Sequence, residues 1–275
     1  MIDIPAEIFA KVSDFLEYQF IMGVEACQET SLWRFVEAKK YWATRTLKVH
    51  DNHRLHNVLQ SSFCKAALRL DLGALDIDDD DLAFVSNHFR QIEWIDISNC
   101  SQISDVGIES LLTWHGRHIK TLRMDRLYAL TNISADSIAK HCPHLRTLSM
   151  EGTMISTSGL RRISEGCSQL HRLSITRCHL IDLDQLPSIA NSLQRLNRLD
   201  ASNLDFMQPH QLTAVVQTCT KLRRLGVKGC AELTLKSLRD LQTINPHLTI
   251  DHNARLEDHS ICSIRRYLLS MIESC

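Results

Sequence analysis

The sequence predicts an α/β solenoid, in which short parallel strands line the concave side of a curved stack and helices cover its convex side. Two periodic signals predict this fold class. The first is an apolar cadence that recurs in seven strand segments: ALRLDLGAL, IEWIDISNC, IKTLRMDRL, LRTLSMEGT, LHRLSITRC, LNRLDASNL and LRRLGVKGC. The second is a pair of apolar residues that follows each segment and indicates a helix. Because one strand–helix unit cannot bury its own apolar face, the units are expected to stack around one continuous core.

The strand segments keep their phase along the chain. They begin at Ala67, Ile92, Ile119, Leu145, Leu170, Leu196 and Leu222. Neighbouring strands pair about 4.8 Å apart, whereas packed helices need about 10 Å, so the stack must curve with its strands inside. Two further segments are expected to extend the sheet, TLKV (46–49) as an irregular first strand and PHLTIDHN (246–253) as a shortened last one.

The helix signal is a pair of apolar residues five positions apart after each strand. The pairs are Ile77/Leu82, Ile103/Ile108, Ile133/Ile138, Ile155/Leu160, Ile181/Leu186, Met207/Leu212 and Leu233/Leu238. The residue after each first member is the expected helix cap: Asp78, Ser104, Ser134, Ser156, Asp182, Gln208 and Thr234. All of these except the glutamine belong to the residue types whose side-chain oxygen accepts from the free N–H groups of a first helical turn.

The best copy joins Ile92–Cys100 to Ile103-Ser104-Asp105. It follows the pattern L-x-x-L-x-L-x-x-C and then I-S/T-D, and Cys178 and Cys230 occupy the same cysteine position in later copies. Over about residues 67–250 the chain therefore closely resembles the leucine-rich repeat in its cysteine-containing form. We expect these cysteines to be buried and reduced, filling the turns where a strand bends toward its helix.

The first 50 residues do not follow the period. Asp3-Ile4-Pro5 indicates a helix start, and Ile8, Val12, Phe15 and Leu16 then form one apolar face. With Glu7, Ala26-Cys27 and Trp42, these positions resemble the F-box, whose pattern begins L-P-x-E-I and ends with a tryptophan ahead of the first repeat strand. The segment QETSLW departs from that pattern by delaying an aromatic residue to Trp33. A plain helical cap for the solenoid is the alternative.

These features predict three parts. Residues 1–45 form an F-box-like helical domain, residues 46–253 form the leucine-rich-repeat solenoid, and residues 254–275 form a C-terminal capping helix. The last part is predicted from Ile261, Ile264, Leu268, Met271 and Ile272, which have helical spacing. A helix for a membrane surface or a partner is the alternative, but a solenoid needs its open end covered.

Composition and motifs exclude several classes of function. The formal net charge is −1, and no apolar run approaches the roughly 20 residues that span a bilayer. The ten cysteines include no C-x-x-C pair, and Cys142/His144 and Cys178/His179 lack a second ligand pair, so we expect no metal. The acidic run DIDDDD (76–81) is expected to be a solvated helix start because it lacks the spacing of a calcium loop. No nucleophile–base constellation or phosphate loop is present, so we expect neither catalysis nor a cofactor.

The resemblance to F-box/leucine-rich-repeat proteins implies a non-catalytic, substrate-recognition subunit of an SCF-type E3 ubiquitin ligase. It would act in the cytoplasm, the nucleus or both, with a Skp-type linker protein, a cullin complex and an unknown protein target as partners, and with neither nucleic acid nor membrane. The implied linker-binding residues are Ile4, Pro5, Ile8, Val12, Phe15 and Leu16. A leucine-rich-repeat scaffold or inhibitor whose N-terminal helices only cap the repeats is the alternative.

Strand residues that point away from the core are the candidates for target binding. They and their neighbours are Trp94, Asp96, Arg123, Arg146, Arg172, Arg177, Arg198 and Arg224. Arg172, Arg198 and Arg224 recur at one position in three consecutive repeats, 26 residues apart. They are interpreted either as a solvated rim or as a site for an acidic or phosphorylated segment.

Overall fold

The computed structural model describes residues 45–49, 55, 66–89 and 91–253. Within these residues nine strands form one parallel sheet, and each strand pairs with the next one along the chain. The strands are β1 (Leu47–Lys48), β2 (Arg69–Asp71), β3 (Trp94–Asp96), β4 (Thr121–Arg123), β5 (Thr147–Ser149), β6 (Arg172–Ser174), β7 (Arg198–Asp200), β8 (Arg224–Gly226) and β9 (Thr249–Asp251). The predicted strand positions are confirmed, including the irregular first strand and the shortened last one.

Helices alternate with these strands and pack on their sequence neighbours. They are α1 (Asp79–His88), α2 (Asp105–His115), α3 (Asn132–His141), α4 (Thr157–Gly166), α5 (Leu186–Ala190), α6 (Pro209–Thr218) and α7 (Leu235–Ile244). This strand–helix alternation in a single sequential sheet is a leucine-rich-repeat solenoid, as the sequence predicts.

The register of the sheet explains the cadence. The central residue of each strand lies beside its equivalent in the next, so that Leu148 pairs with Leu173 and Leu173 pairs with Leu199. These side chains are buried in the single core that runs through the described repeats. The residues on either side of them point away from that core, so they line the strand side of the solenoid.

Helix caps confirm the predicted pattern in most repeats. Asp78 forms a capping box with Asp81, Ser104 accepts from the amide of Val106, and Thr234 accepts from the amide of Ser237. Each cap satisfies an amide that would otherwise lack a partner in the first helical turn.

The cap prediction is wrong in one repeat. Helix α3 is capped by Thr131, not Ser134, and Ile133 is largely exposed instead of buried. The apolar pair of this repeat is Leu130/Ala135, which the structure buries completely. The prediction failed because Ile133-Ser134 repeats the apolar–serine signal three residues too late, and the hydroxyl of Ser134 serves a different partner, Asp105.

One repeat has a shortened helix. After Asp182 the chain forms a 3₁₀ turn (Leu183–Gln185) and then the five-residue helix α5. Pro187 lies in the first turn of α5, where its missing N–H and its ring are tolerated, but it cannot sit inside a longer continuous helix. The apolar pair Ile181/Leu186 is nonetheless buried as predicted.

Buried thiols link successive repeats. The Sγ atoms of Cys100, Cys178 and Cys230 lie 3.2, 3.1 and 3.3 Å from the carbonyl oxygens of Leu72, Met150 and Ala201 in the preceding repeats. All three cysteines are free and buried, as predicted. Burial raises the pKa of Cys100 and of Cys178 to about 11, so both remain protonated donors at neutral pH.

Polar side chains also connect the starts of neighbouring helices. The first residue of α1, Asp79, accepts from the amide and the hydroxyl of Ser104, the cap of α2. Asn132 at the start of α3 accepts from the amide of Ser156 at 2.9 Å in the same way. Asp78 and Asp79 of the acidic run 76–81 therefore act in capping and in repeat stacking, which agrees with its interpretation as a helix start.

Candidate interaction surface

The strand side is divided into two halves with different electrostatics. In the first half, Arg123 lies between two buried carboxylates: its Nη1 is 3.1 Å from Asp96 Oδ2 and its Nη2 is 3.3 Å from Asp125 Oδ2. Asp96 also accepts from the amide of Ser98 at 3.0 Å. Of the predicted target-binding residues, Asp96 and Arg123 are therefore already engaged within the chain.

The polar network continues into the next repeats. Asp125 Oδ1 accepts from the Ser149 hydroxyl at 2.5 Å and from the Glu151 amide at 3.0 Å. Glu151 in turn lies 3.6 Å from Arg177 and 3.8 Å from Arg126. Since its charges are balanced internally, this half of the surface is a preorganised polar face and not a strong source of either sign of charge.

Trp94 lies at the N-terminal end of the same face. It is half-buried, and the guanidinium carbon of Arg69 is 5.2 Å from the centre of its ring. The two residues are register partners in β2 and β3. This stacking holds the indole against the sheet and leaves its other side available for an aromatic contact.

The second half carries the arginine row, which we define as Arg172, Arg198 and Arg224. The three residues are direct register partners in β6, β7 and β8, as their 26-residue spacing predicts. All three are exposed, and none of them pairs with an acidic side chain among the described residues. Arg146 is also exposed and directly precedes β5. Target binding by these residues stays a prediction.

A second feature was missed from the sequence. The turn that leads from each strand to its helix exposes a large apolar side chain in four consecutive repeats. We call these residues the turn row: Tyr128, Met154, Leu180 and Phe206. Phe206 is 81% exposed and Tyr128 is 62% exposed. In a preceding repeat the equivalent turn is polar, since the Gln102 amide there donates to Asp76.

The turn row could have been found from spacing. Met154, Leu180 and Phe206 are 26 residues apart, and each directly precedes the buried apolar residue before a helix cap. Two adjacent apolar residues at that point cannot both enter the core, because the chain there turns away from the sheet. One of the two must therefore face solvent.

The predicted linker-binding residues Ile4, Pro5, Ile8, Val12, Phe15 and Leu16 lie outside the described residues. The predicted domain 1–45 also lies outside them, except for residue 45, and so does the capping helix 254–275. Among the residues that the structure describes, no helix is long and apolar enough to cross a membrane. The same residues contain no group of three or more His, Cys, Asp or Glu side chains placed to hold a metal ion.

Comparison with known proteins adds a family to this geometry. No protein-family model matches the sequence. The F-box protein SKIP1 of Arabidopsis thaliana is 28% identical over 138 residues, and the match covers 44% of this chain and 45% of that protein. The F-box/LRR-repeat protein 12 of the same plant is 24% identical over 106 residues, which cover 38% of this chain and 27% of that protein. The chain is a relative of F-box/leucine-rich-repeat proteins. It matches less than half the length of either curated F-box relative.

Solved structures with a similar course of the chain include Rad7 from the Rad7–Elc1 complex of yeast, or its partner in that crystal, with a TM-score of 0.46, 12% identity and coverage of 94% of this chain and 97% of that one. An internalin, InlF, of Listeria monocytogenes has a TM-score of 0.39 and 14% identity, with coverage of 77% of this chain and 67% of that one. The solenoid assignment of this F-box/leucine-rich-repeat relative rests on its own strand order and register.

Proposed function

We propose that this chain is the target-recognition subunit of an SCF-type ubiquitin ligase. It would present a target protein on the repeat array while a separate conjugating enzyme modifies that target, so the chain itself would perform no catalysis. Its similarity to two F-box proteins supports this role, and the repeat array supplies a surface for a target. We place its action in the cytoplasm, the nucleus or both.

The observation that carries the proposal is the turn row. Soluble monomers rarely expose neighbouring large apolar side chains, and such patches mark protein–protein interfaces. Here four of them follow one another in successive repeats along one edge of the solenoid. The adjoining strand face adds fixed polar groups that can select a partner. A surface of this kind suits recognition of another protein and contains no arrangement for chemistry.

Linker binding is proposed from the sequence. Ile4, Pro5, Ile8, Val12, Phe15 and Leu16 would place an apolar helix face in a groove of a Skp-type protein, which is a common mode of peptide recognition. The linker would then connect the array to a cullin. This assigns the N-terminal segment to assembly and the repeats to the target.

Affinity purification of the full chain from cells tests the proposal. We expect a Skp-type linker and a cullin to co-purify, together with at least one protein that accumulates on the chain when the proteasome is inhibited. Recovery of a stable partner without linker or cullin would contradict the proposal and would favour a leucine-rich-repeat scaffold or inhibitor.

A further inference from the structure

The amino ends of four consecutive strands carry an uncompensated positive charge. Here the arginine row is joined by Arg146, Arg195, Lys221 and Arg223, all of which are exposed. We call these seven cations the basic edge. They lie within the segments 144–147, 169–172, 195–198 and 221–224, which contain no Asp or Glu.

The basic edge differs from the other half of the strand side in how its charges are satisfied. There, Lys48, Lys120 and Arg123 each form an ion pair with a carboxylate of the sheet region. None of the seven cations of the basic edge has a hydrogen-bond or ion-pair partner for its side chain among the described residues. Register pairing also holds the three members of the arginine row side by side, which leaves mutual repulsion without an internal counter-charge.

The acidic side chain of the adjoining strand column does not neutralise the row. Asp200 lies on β7 two residues after Arg198, but its Oδ1 accepts from the Ser202 hydroxyl at 2.6 Å and from the Thr176 hydroxyl at 3.3 Å. Its carboxylate also leans over Gly226, where an added Cβ would lie 2.6 Å from Oδ1. Asp200 is therefore directed along the sheet toward its polar neighbours, and the guanidinium groups remain available.

The spacing of the row suits oxyanions. Paired strands lie about 4.8 Å apart, so the stems of adjacent arginines are separated by about that distance. A carboxylate or phosphoryl group placed between two such stems can accept charge-assisted hydrogen bonds from both guanidinium groups, in the forked geometry that arginine favours. Three arginines in register provide two adjacent positions of this kind.

We propose that the basic edge binds an acidic segment of the target protein, through carboxylate or phosphoryl groups that bridge neighbouring arginines. The inference rests on the proposed function for the statement that the ligand is a target. It adds the chemical class of the segment and the place where it binds. The other cations of the edge would draw the segment to the row by long-range attraction.

Dimensions favour a polypeptide over a nucleic acid. Four adjacent strands span only about 15 Å, which is less than half of one turn of duplex DNA, at about 34 Å. The chain as a whole has a formal net charge of −1, whereas a nucleic-acid-binding surface is typically part of a strongly basic domain.

Fluorescence anisotropy with the purified full chain tests the inference. The probes are a labelled peptide of alternating glutamate and serine, its counterpart with phosphoserine in place of serine, and a neutral counterpart with glutamine in place of glutamate. An oligodeoxythymidine is the competing class of ligand. The variants are Arg172→Glu with Arg198→Glu, and a matched control, Arg117→Glu with Lys236→Glu, which changes the net charge equally at exposed cations outside the basic edge.

We expect the acidic peptides to bind, the neutral peptide not to bind, and the Arg172→Glu/Arg198→Glu variant to lose at least about tenfold in affinity while the control retains it. In about 1 M salt, where the screening length falls to about 3 Å, the affinity should drop for all proteins. A stronger response to phosphoserine would assign phosphoryl groups, and an equal response would assign carboxylates.

Three results would overturn the inference: equal loss in the control, no binding of either acidic peptide, or tighter binding of the oligodeoxythymidine that depends on the same arginines. The failure of the proposed function is a separate result. In that case linker and cullin are missing from the purified full chain, whatever the peptides do.

Discussion

The carboxylate of Asp105 accepts a 2.9 Å hydrogen bond from the backbone amide of Thr131, and its other oxygen accepts from the Thr131 hydroxyl at 2.6 Å. Asp105 begins helix α2 and Thr131 caps helix α3. Ser134 adds its amide and hydroxyl to the same carboxylate. The start of one helix is thus fixed by the start of the preceding one, which keeps the turn edge of the solenoid in register.

Replacing this carboxylate should destabilise the array. We expect Asp105→Ala to lower the free energy of unfolding by about 2 kcal/mol, because hydrogen bonds to a charged group are lost and polar groups of the next helix start are left unpaired. Asp136→Ala is the matched control, since Asp136 forms only an exposed ion pair with Arg162 and should cost at most about 1 kcal/mol. Denaturant unfolding measures both, and equal losses would contradict this assignment.

The same carboxylate has a consequence for acid stability. Burial opposes ionisation, but the hydrogen bonds from Ser134 and Thr131 outweigh burial and hold the pKa of Asp105 below its ordinary 3.8. Its contribution to stability is therefore complete above about pH 4 and is lost as the pH falls through the lowered folded-state pKa. The difference between wild type and Asp105→Ala should shrink in strong acid.

His115 should make the fold sensitive to mild acid. Its side chain is buried at the end of α2, Nε2 donates to the Ser86 carbonyl at 2.9 Å, and Nδ1 has no partner among the described residues. Burial lowers the pKa of His115 below its ordinary 6.5. The unfolded chain therefore binds a proton more readily, and the stability that this residue contributes above pH 6.5 is lost progressively as the pH falls.

We expect His115→Gln, which keeps an N–H donor and cannot be protonated, to unfold with a weaker dependence on pH between about 6.5 and 5 than the wild type. Chemical denaturation at a series of pH values measures this. Identical pH profiles would mean that the ring is accessible to solvent and titrates freely.

Thiol reactivity tests the cysteine ladder. The six described cysteines are all buried, and burial raises the pKa of Cys167 to about 12 and that of Cys219 to about 11. Because the thiolate is the reactive species, these thiols should not be labelled in native buffer. Of the ten cysteines in the chain, at most the remaining four should react before denaturant is added and all ten afterwards. Native labelling at Cys100 or Cys178, located by mass spectrometry, would contradict the packing of the strand turns.

Two adjacent residues separate binding from folding at the turn row. Leu180 is 48% exposed and Ile181 is 5% exposed. Leu180→Ser should leave the unfolding free energy within about 0.5 kcal/mol of wild type and weaken capture of the target. Ile181→Ser should cost several kcal/mol, as removing a buried aliphatic side chain does. Co-purification of targets and thermal unfolding report the two effects, and undiminished capture by a Leu180→Ser/Phe206→Ser variant would exclude the turn row from the interface.

The strand cadence was predictable because each strand is fixed by its own local pattern. Leu148, Leu173 and Leu199 must face the core in any stack of these units, and the register of the arginine row follows from the same spacing. The cap of α3 was not predictable from one repeat alone. Thr131 is selected by Asp105, 26 residues earlier in sequence, and the local signal at Ile133-Ser134 pointed elsewhere.

The candidate surface was predictable only in part. Sequence position placed Asp96, Arg123 and Arg198 on the strand side, but it could not distinguish charges that are paired from charges that are free. That difference depends on which carboxylates reach across to the next strand, as Asp96 and Asp125 reach Arg123. The turn row also escaped notice because its members follow strands of different turn lengths, so that Tyr128 is displaced by one position from the other three.

Direct binding of a purified Skp-type linker to the purified full chain is the most direct test of the central claim, that the chain is a ubiquitin-ligase receptor. Calorimetry should compare the wild type with Ile8→Asp and with Ile133→Asp, in which the same change is made at an exposed position of helix α3. We expect the wild type and Ile133→Asp to bind the linker, and Ile8→Asp to lose at least about 2 kcal/mol of binding free energy with an unchanged circular-dichroism spectrum. Absence of linker binding by the folded wild-type chain would contradict the claim.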